Sequence, residues 1–299
     1  MGSIKALTMA GMVVAFGAIA PASAADLLPP PPHIEPLPVA VETSGWYLRG
    51  DVGVGINQMS SLRSSFSAID LAGAPWPPPG LVTANGNNAI GDSAVIDFGV
   101  GYQINNWFRA DVTLGYHSST SYTNTTLYGP LALCGFAAPA QYCYDNYSAR
   151  LNSFHGLVNG YVDLGTWWGV TPYLGAGVGF ANIRMTGITD IGAQSSVGYG
   201  SNISQTNFAW ALMAGLSYNV NERLKLEMGY RYLNQGTVTS APIICNSPNG
   251  CAQERQSFKL ASQDLRIGMR WMLGDTQPAP VVASAPIFGS RPGPLVRKY

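Results

Sequence analysis

The side chains able to do chemistry are few. Cys134, Cys143, Cys245 and Cys251 are the only cysteines, and His33, His117 and His155 the only histidines. Neither cysteine pair has C-x2-C spacing and no histidine lies near either, so the four thiols read as disulfides rather than metal ligands. Three connectivities are open, and pairing within each stretch, 134 with 143 and 245 with 251, is the expected one. Such bridges stiffen loops in an oxidising compartment. His117 and Ser119 stand two apart on one strand face and read as polar interior residues. Gly175, Gly177 and Gly179 are spaced two apart on one strand face, not as the G-x-G-x-x-G that cradles a dinucleotide. No metal, cofactor or catalytic residue is therefore expected.

The positioning elements carry a two-residue period. Trp46, Leu48, Val52, Val54 and Ile56 alternate with Tyr47, Arg49, Asp51, Gly53 and Asn57. The same alternation recurs at 96–104, 108–117, 154–164, 171–180, 208–219, 224–232 and 264–273, which makes eight strands. No Asp, Glu, Lys or Arg stands on any of the eight apolar faces. The opposite faces collect Arg49, Arg109, Lys225, Arg231, Arg266 and Arg270 together with Asp51, Asp97, Asp111, Asp163, Glu227 and Asp264. A sandwich in water would turn those charges outward, whereas a barrel in lipid must enclose them. Strands near ten residues suit a tilted crossing of the hydrocarbon layer, where only a closed sheet satisfies every backbone group. Balanced charge points to ion pairs that fill an interior barely wide enough for its own side chains.

Connections alternate between long (57–92, 118–150, 182–206, 234–260) and short (105–106, 165–170, 219–223). Outer-membrane barrels have long extracellular loops and short periplasmic turns, which puts both termini in the periplasm. Tryptophan prefers the interface, and Trp46, Trp107, Trp167, Trp168 and Trp271 fall at the short-turn rim. Trp210 with Tyr116, Tyr230 and Tyr232 belongs to the opposite girdle.

Composition agrees. Of 299 residues, 46% are hydrophobic and only 11% charged, against about 25% in soluble domains. Sixteen Lys and Arg balance sixteen Asp and Glu, so no basic field exists for nucleic acid. One positive charge at Lys5, the apolar stretch Ala6 to Ala20 and Ala22-Ser23-Ala24 read as a cleaved signal peptide. The expected organisation is a signal peptide at 1–24, a Pro-rich linker at 25–44, an outer-membrane β-barrel at 45–273 and a Pro-rich periplasmic tail at 274–299.

Three segments carry a family resemblance: Gly45-Trp46-Tyr47-Leu48-Arg49-Gly50-Asp51-Val52-Gly53, Thr171-Pro172-Tyr173-Leu174-Gly175-Ala176-Gly177-Val178-Gly179 and Asp264-Leu265-Arg266-Ile267-Gly268-Met269-Arg270-Trp271. On these the chain resembles the opacity-type small outer-membrane barrels, especially the surface antigens of alphaproteobacteria. The resemblance implies a non-enzymatic barrel contributing to envelope integrity and to surface display or adhesion through its loops. Implied partners are outer-membrane lipid and lipopolysaccharide, the barrel-assembly machinery, and peptidoglycan or host surface molecules. A small-solute porin with a narrow polar lumen is the alternative, and His117 with Ser119 also resembles the His-x-Ser pair of lipid A deacylases. The family usually ends its last strand on an aromatic. Here Trp271-Met272-Leu273 is followed by the tail to Tyr299, leaving Trp271 or Tyr299 as the insertion signal.

Overall fold

Alternating side-chain faces make a sheet, and a sheet whose last strand pairs with its first leaves no edge. The computed structural model, which describes residues 44–70, 82–129, 143–192, 197–245 and 252–274, has that form. Its strands are β1 (Gly45–Asp70), β2 (Val82–Ile90), β3 (Ser93–Gln103), β4 (Phe108–Gly129), β5 (Cys143–Asp163), β6 (Val170–Gly192), β7 (Val197–Gly200), β8 (Ile203–Asn219), β9 (Leu224–Thr239), β10 (Ile243–Cys245) and β11 (Ala252–Met272). Eight of them form an antiparallel ring in the order β1-β3-β4-β5-β6-β8-β9-β11, and β11 pairs back onto β1 from Tyr47↔Met272 upward. β2 pairs with β4 and so continues the line of β3, while β7 and β10 bridge β6 to β11.

The short turns are closed by side chains suited to them. Asn105 Oδ1 accepts from the backbone N–H of Trp107 and Phe108, and Asn221 Oδ1 from those of Arg223 and Leu224, which replaces ladder bonds where the chain reverses. Trp168, at φ 52°, turns the third of them.

At the other end most of the expected loops are strand. β1 is 26 residues long, β4 22 and β6 23, roughly twice what a membrane crossing needs. The extra length forms a collar whose polarity is reversed. In the lower barrel Val52, Phe98, Leu114, Val158 and Ile267 are exposed while Arg109, Asp97 and Arg231 are buried. In the collar Ser121, Thr123, Ser148 and Arg184 face outward while Tyr122, Tyr147, Leu151, Ile183 and Phe258 are buried. The lower barrel therefore sits in an apolar solvent and the collar in water.

Register shifts lie at or just beyond this boundary, between Ser60 and Arg63, His117 and Thr120, Ser148 and Arg150, and Leu260 and Ala261. Three of the residues concerned have positive φ: Ser61 at 54°, Gly187 at 62° and Gly236 at 83°. Such bulges add a residue, bend the strand and exchange which parity points inward.

Candidate functional site

Among the described residues the charged side chains meet in the bore of the barrel, stacked in layers. At the short-turn mouth a vestibule of about 570 Å³ is lined by residues including Gln103, Asp163, Asn221, Glu222, Lys225 and Arg270. Lys225 is half-buried there.

Above it the first charged layer centres on Glu227 of β9. Its carboxylate meets Arg49 Nη2 at 3.2 Å, Arg270 Nε at 3.1 Å and Arg109 Nη1 at 3.4 Å, from three other strands. Arg49 also reaches Asp51 at 3.0 Å and Asp111 at 3.1 Å, and Arg109 reaches Asp163 at 3.2 Å. Tyrosines complete the layer. The Arg109 guanidinium lies 4.2 Å from the Tyr161 ring centroid and 4.7 Å from that of Tyr173. Glycines opposite make the room, since a Cβ on Gly175 would stand 2.5 Å from the Tyr161 ring. That crowding accounts for the glycine row at 175, 177 and 179.

The second layer centres on Asp97 of β3. Arg231 Nη2 lies 3.2 Å away, Arg266 Nη1 3.3 Å and His155 Nε2 2.9 Å, while Arg231 Nε also reaches Asp264 at 2.7 Å. Buried charges are tolerable only in such mutual contact. His117 faces this layer from inside the bore, 3.7 Å from Asp264 and with Ser93 Oγ at 3.3 Å from its Nδ1. The bulge between His117 and Thr120 turns Ser119 outward and exposed. The His-x-Ser pair is thus split between the two faces of the wall, and does not form one site.

Above the histidines a cavity of about 10 Å³, lined by residues including Ser93, His117, Ser153 and Gln235, has room for about one water. Then the bore closes. Tyr122, Tyr147, Leu151, Ile183, Met185, Val238, Phe258 and Leu260, with others, form an apolar cluster inside the collar. Over it lies an acidic, tyrosine-rich rim. Tyr128 Oη donates to Glu254 Oε2 at 3.0 Å, Tyr147 Oη makes a short bond to the same oxygen, and Tyr128 and Tyr147 lie 2.9 Å apart. Burial, then the neighbouring Glu254 charge, pushes Asp145 up to about 6. Burial, then Asp145 and Glu254, pushes Asp190 up to about 8.

The twelve charges read from the sequence therefore do meet inside the bore, eleven of them as ion pairs and Lys225 at its mouth. Trp46, Trp107, Trp167 and Trp271 are exposed, Trp168 nearly fully so at 98%, and Trp46 packs edge-on against Tyr102 at 5.3 Å. On the other girdle Tyr116 and Tyr230 are exposed, and Trp210 lies 5.4 Å from Tyr232. Cys134 and Cys251 lie outside the described residues, as do the side chains of Cys143 and Cys245. The apolar plug and the acidic rim were not expected from the sequence; the signal that marks them is an apolar face that changes sides after a bulge.

An apolar exterior on a closed ring, enclosing a paired charge network, is a barrel built for lipid. The sequence model described as outer membrane protein beta-barrel domain matches residues 12–250. The chain belongs to that family. An uncharacterized protein of Brucella suis is 32% identical over 241 residues, 78% of this chain and 81% of its own length. A putative adhesin of Rickettsia felis is 30% identical over 232 residues, covering 76% and 87%. The outer membrane protein PagN of Salmonella typhimurium is 26% identical over 235 residues, covering 76% and 89%. The protein is accordingly an outer-membrane barrel, and these relatives are not described as enzymes.

Proposed function

We propose that this protein is a non-conducting surface barrel that acts in adhesion and surface display, and that the same rigidity contributes to envelope integrity. The observation that carries this is the apolar cluster around Tyr122 and Phe258, which fills the bore where a porin would be open. A plugged barrel has its chemistry at its outer end. The relatives described as putative adhesins support the same reading. In this reading a signal peptide is removed before Ala25, both termini lie in the periplasm, the collar stands outside the cell, and the sequence segments 71–81, 130–142, 193–196 and 246–251 are assigned the adhesive role. Cys134, Cys143, Cys245 and Cys251 then form loop disulfides in an oxidising setting. Barrel-assembly machinery inserts the chain, and the proline-rich ends lie on the peptidoglycan side.

The test is transfer of adhesion. Expressed in a non-adherent Gram-negative host, the full chain should confer attachment to host-cell surfaces. Replacing 130–142 with a Gly-Ser linker should remove attachment while the barrel remains heat-modifiable in gels. Attachment unchanged by replacement of each of the four segments in turn would contradict the adhesion reading.

A further inference from the structure

The charges outside the bore are sorted as sharply as those within it. On the outer wall of the collar Arg63, Arg150, Arg184, Arg255 and Lys259 are exposed. None of them forms an ion pair among the described residues. The collar carboxylates Asp145, Asp190 and Glu254 sit on the inward positions, which leaves Asp92, between β2 and β3, as the exposed one on that wall among the described side chains. Two of the arginines are diagonal neighbours. Arg150 of β5 stands opposite Thr186 of β6, and Arg184 of β6 opposite Asn152 of β5, so their backbones lie about 7–8 Å apart with both side chains on the outer face.

Their height matters. Arg150 is four residues beyond Phe154, and Arg184 four beyond Phe180, the exposed aromatics at the upper edge of the lower barrel on those strands; Tyr144 of β5 stands six residues higher still. At about 3.3 Å per residue on a strand tilted by about 40°, the pair stands roughly 10 Å above the aromatic ring. That is headgroup depth. Around it the wall offers amides and hydroxyls: Asn182 Nδ2 donates to Thr206 Oγ1 at 2.9 Å, and Ser204 Oγ donates to Asn182 Oδ1 at 3.0 Å.

We propose that Arg150 and Arg184 form an exterior clamp for the phosphates of the phosphorylated glycolipid of the outer leaflet. Guanidinium forks match phosphate oxygens in pairs, and unpaired arginines on a lipid-level wall have that ligand as their natural counter-charge. Arg63, Arg255 and Lys259 lie on β1 and β11 around the ring from this pair, and their register places Lys259 opposite Ser60 and Arg255 opposite Ser65. They serve as an internal control. The inference rests on the reading that the collar faces outward from the cell.

The test uses the full chain in phosphatidylcholine nanodiscs doped with bisphosphorylated lipid A, reading the lipid A retained by the purified barrel. Retention should fall about tenfold in Arg150→Glu/Arg184→Glu and by a similar factor when phosphatase-treated lipid A is used. Arg63→Glu/Lys259→Glu should retain most of it, and Arg150→Lys/Arg184→Lys should be intermediate. All variants should remain heat-modifiable, because both arginines are exposed. Retention indifferent to the double reversal overturns the proposal. Equal displacement by a soluble polyphosphate also overturns it, in favour of a general polyanion site. A membrane-impermeant maleimide applied to intact cells carrying Ser148→Cys tests orientation separately. No labelling overturns the outward reading, and the outer-leaflet assignment with it, even where nanodisc retention persists.

Discussion

Tyr122 of β4 and Phe258 of β11 stack across the bore, their ring centroids 5.0 Å apart and their planes within 12°. The two strands are not neighbours in the ring, so the pair ties opposite walls of the collar together. Tyr122 Oη adds a 2.5 Å hydrogen bond to Gln256 Oε1 on the same strand as its ring partner. Phe258→Ala should therefore cost about 3–5 kcal/mol, and Tyr122→Phe, which keeps the stack and loses the hydroxyl, about 1 kcal/mol. Urea unfolding of the barrel in micelles measures both, and equal costs would contradict the stacking account.

Asp97 holds two arginines and a histidine in the lower bore. Asp97→Asn leaves Arg231 and Arg266 facing each other without that carboxylate, and breaking a buried pair from one side costs about 3–5 kcal/mol. The same substitution at exposed Asp92 should cost less than about 0.5 kcal/mol. Thermal unfolding followed by loss of heat-modifiability ranks the two.

The lipid-facing belt predicts its own cost. Val100 and Leu226 are exposed at 43% and 45% on the outer wall of the lower barrel, where an arginine at the bilayer midplane costs about 2–4 kcal/mol. Val100→Arg and Leu226→Arg should reduce insertion into vesicles, measured by protease protection. Assembly equal to that of the unaltered chain would mean that this face does not meet lipid.

The acidic rim sets a pH dependence. Burial pushes Asp145 up to about 6 and Asp190 up to about 8, so the folded collar binds protons that the unfolded chain releases near pH 4. Stability from this source is present below the unfolded value and is lost as pH rises through the folded ones. Amide-exchange protection in the collar, corrected for the base-catalysed intrinsic rate, should fall between about pH 4 and pH 8, and Asp190→Asn should flatten the change. Protection that falls on acidification instead would contradict it.

The part of the fold legible in the sequence is the part with one rule. From Trp46 to Ile56, or Leu265 to Leu273, large apolar residues keep one parity and charges the other, because lipid lies outside and ion pairs lie inside. That rule ends where the wall leaves the lipid. Beyond Ile56 the outward positions become Gln58 and Ser60 and the inward ones Met59 and Leu62, and the bulge at Ser61 then exchanges the parity. Segments such as Tyr122 to Tyr128 consequently read as polar loops, although Tyr122 and Tyr128 are buried. The same bulging separates His117 from Ser119, which a uniform period keeps on one face. The charge network was legible for the opposite reason: none of its members crosses a bulge.

Single-channel conductance of the full chain in a planar bilayer tests the plugged bore most directly. The layers around Glu227 and Asp97 and the cluster around Tyr122 and Phe258 predict a silent, heat-modifiable barrel, with Phe258→Ala the variant most prone to leak. Steady, well-defined openings in the unaltered protein would contradict the account and make the bore, rather than the collar, the seat of function.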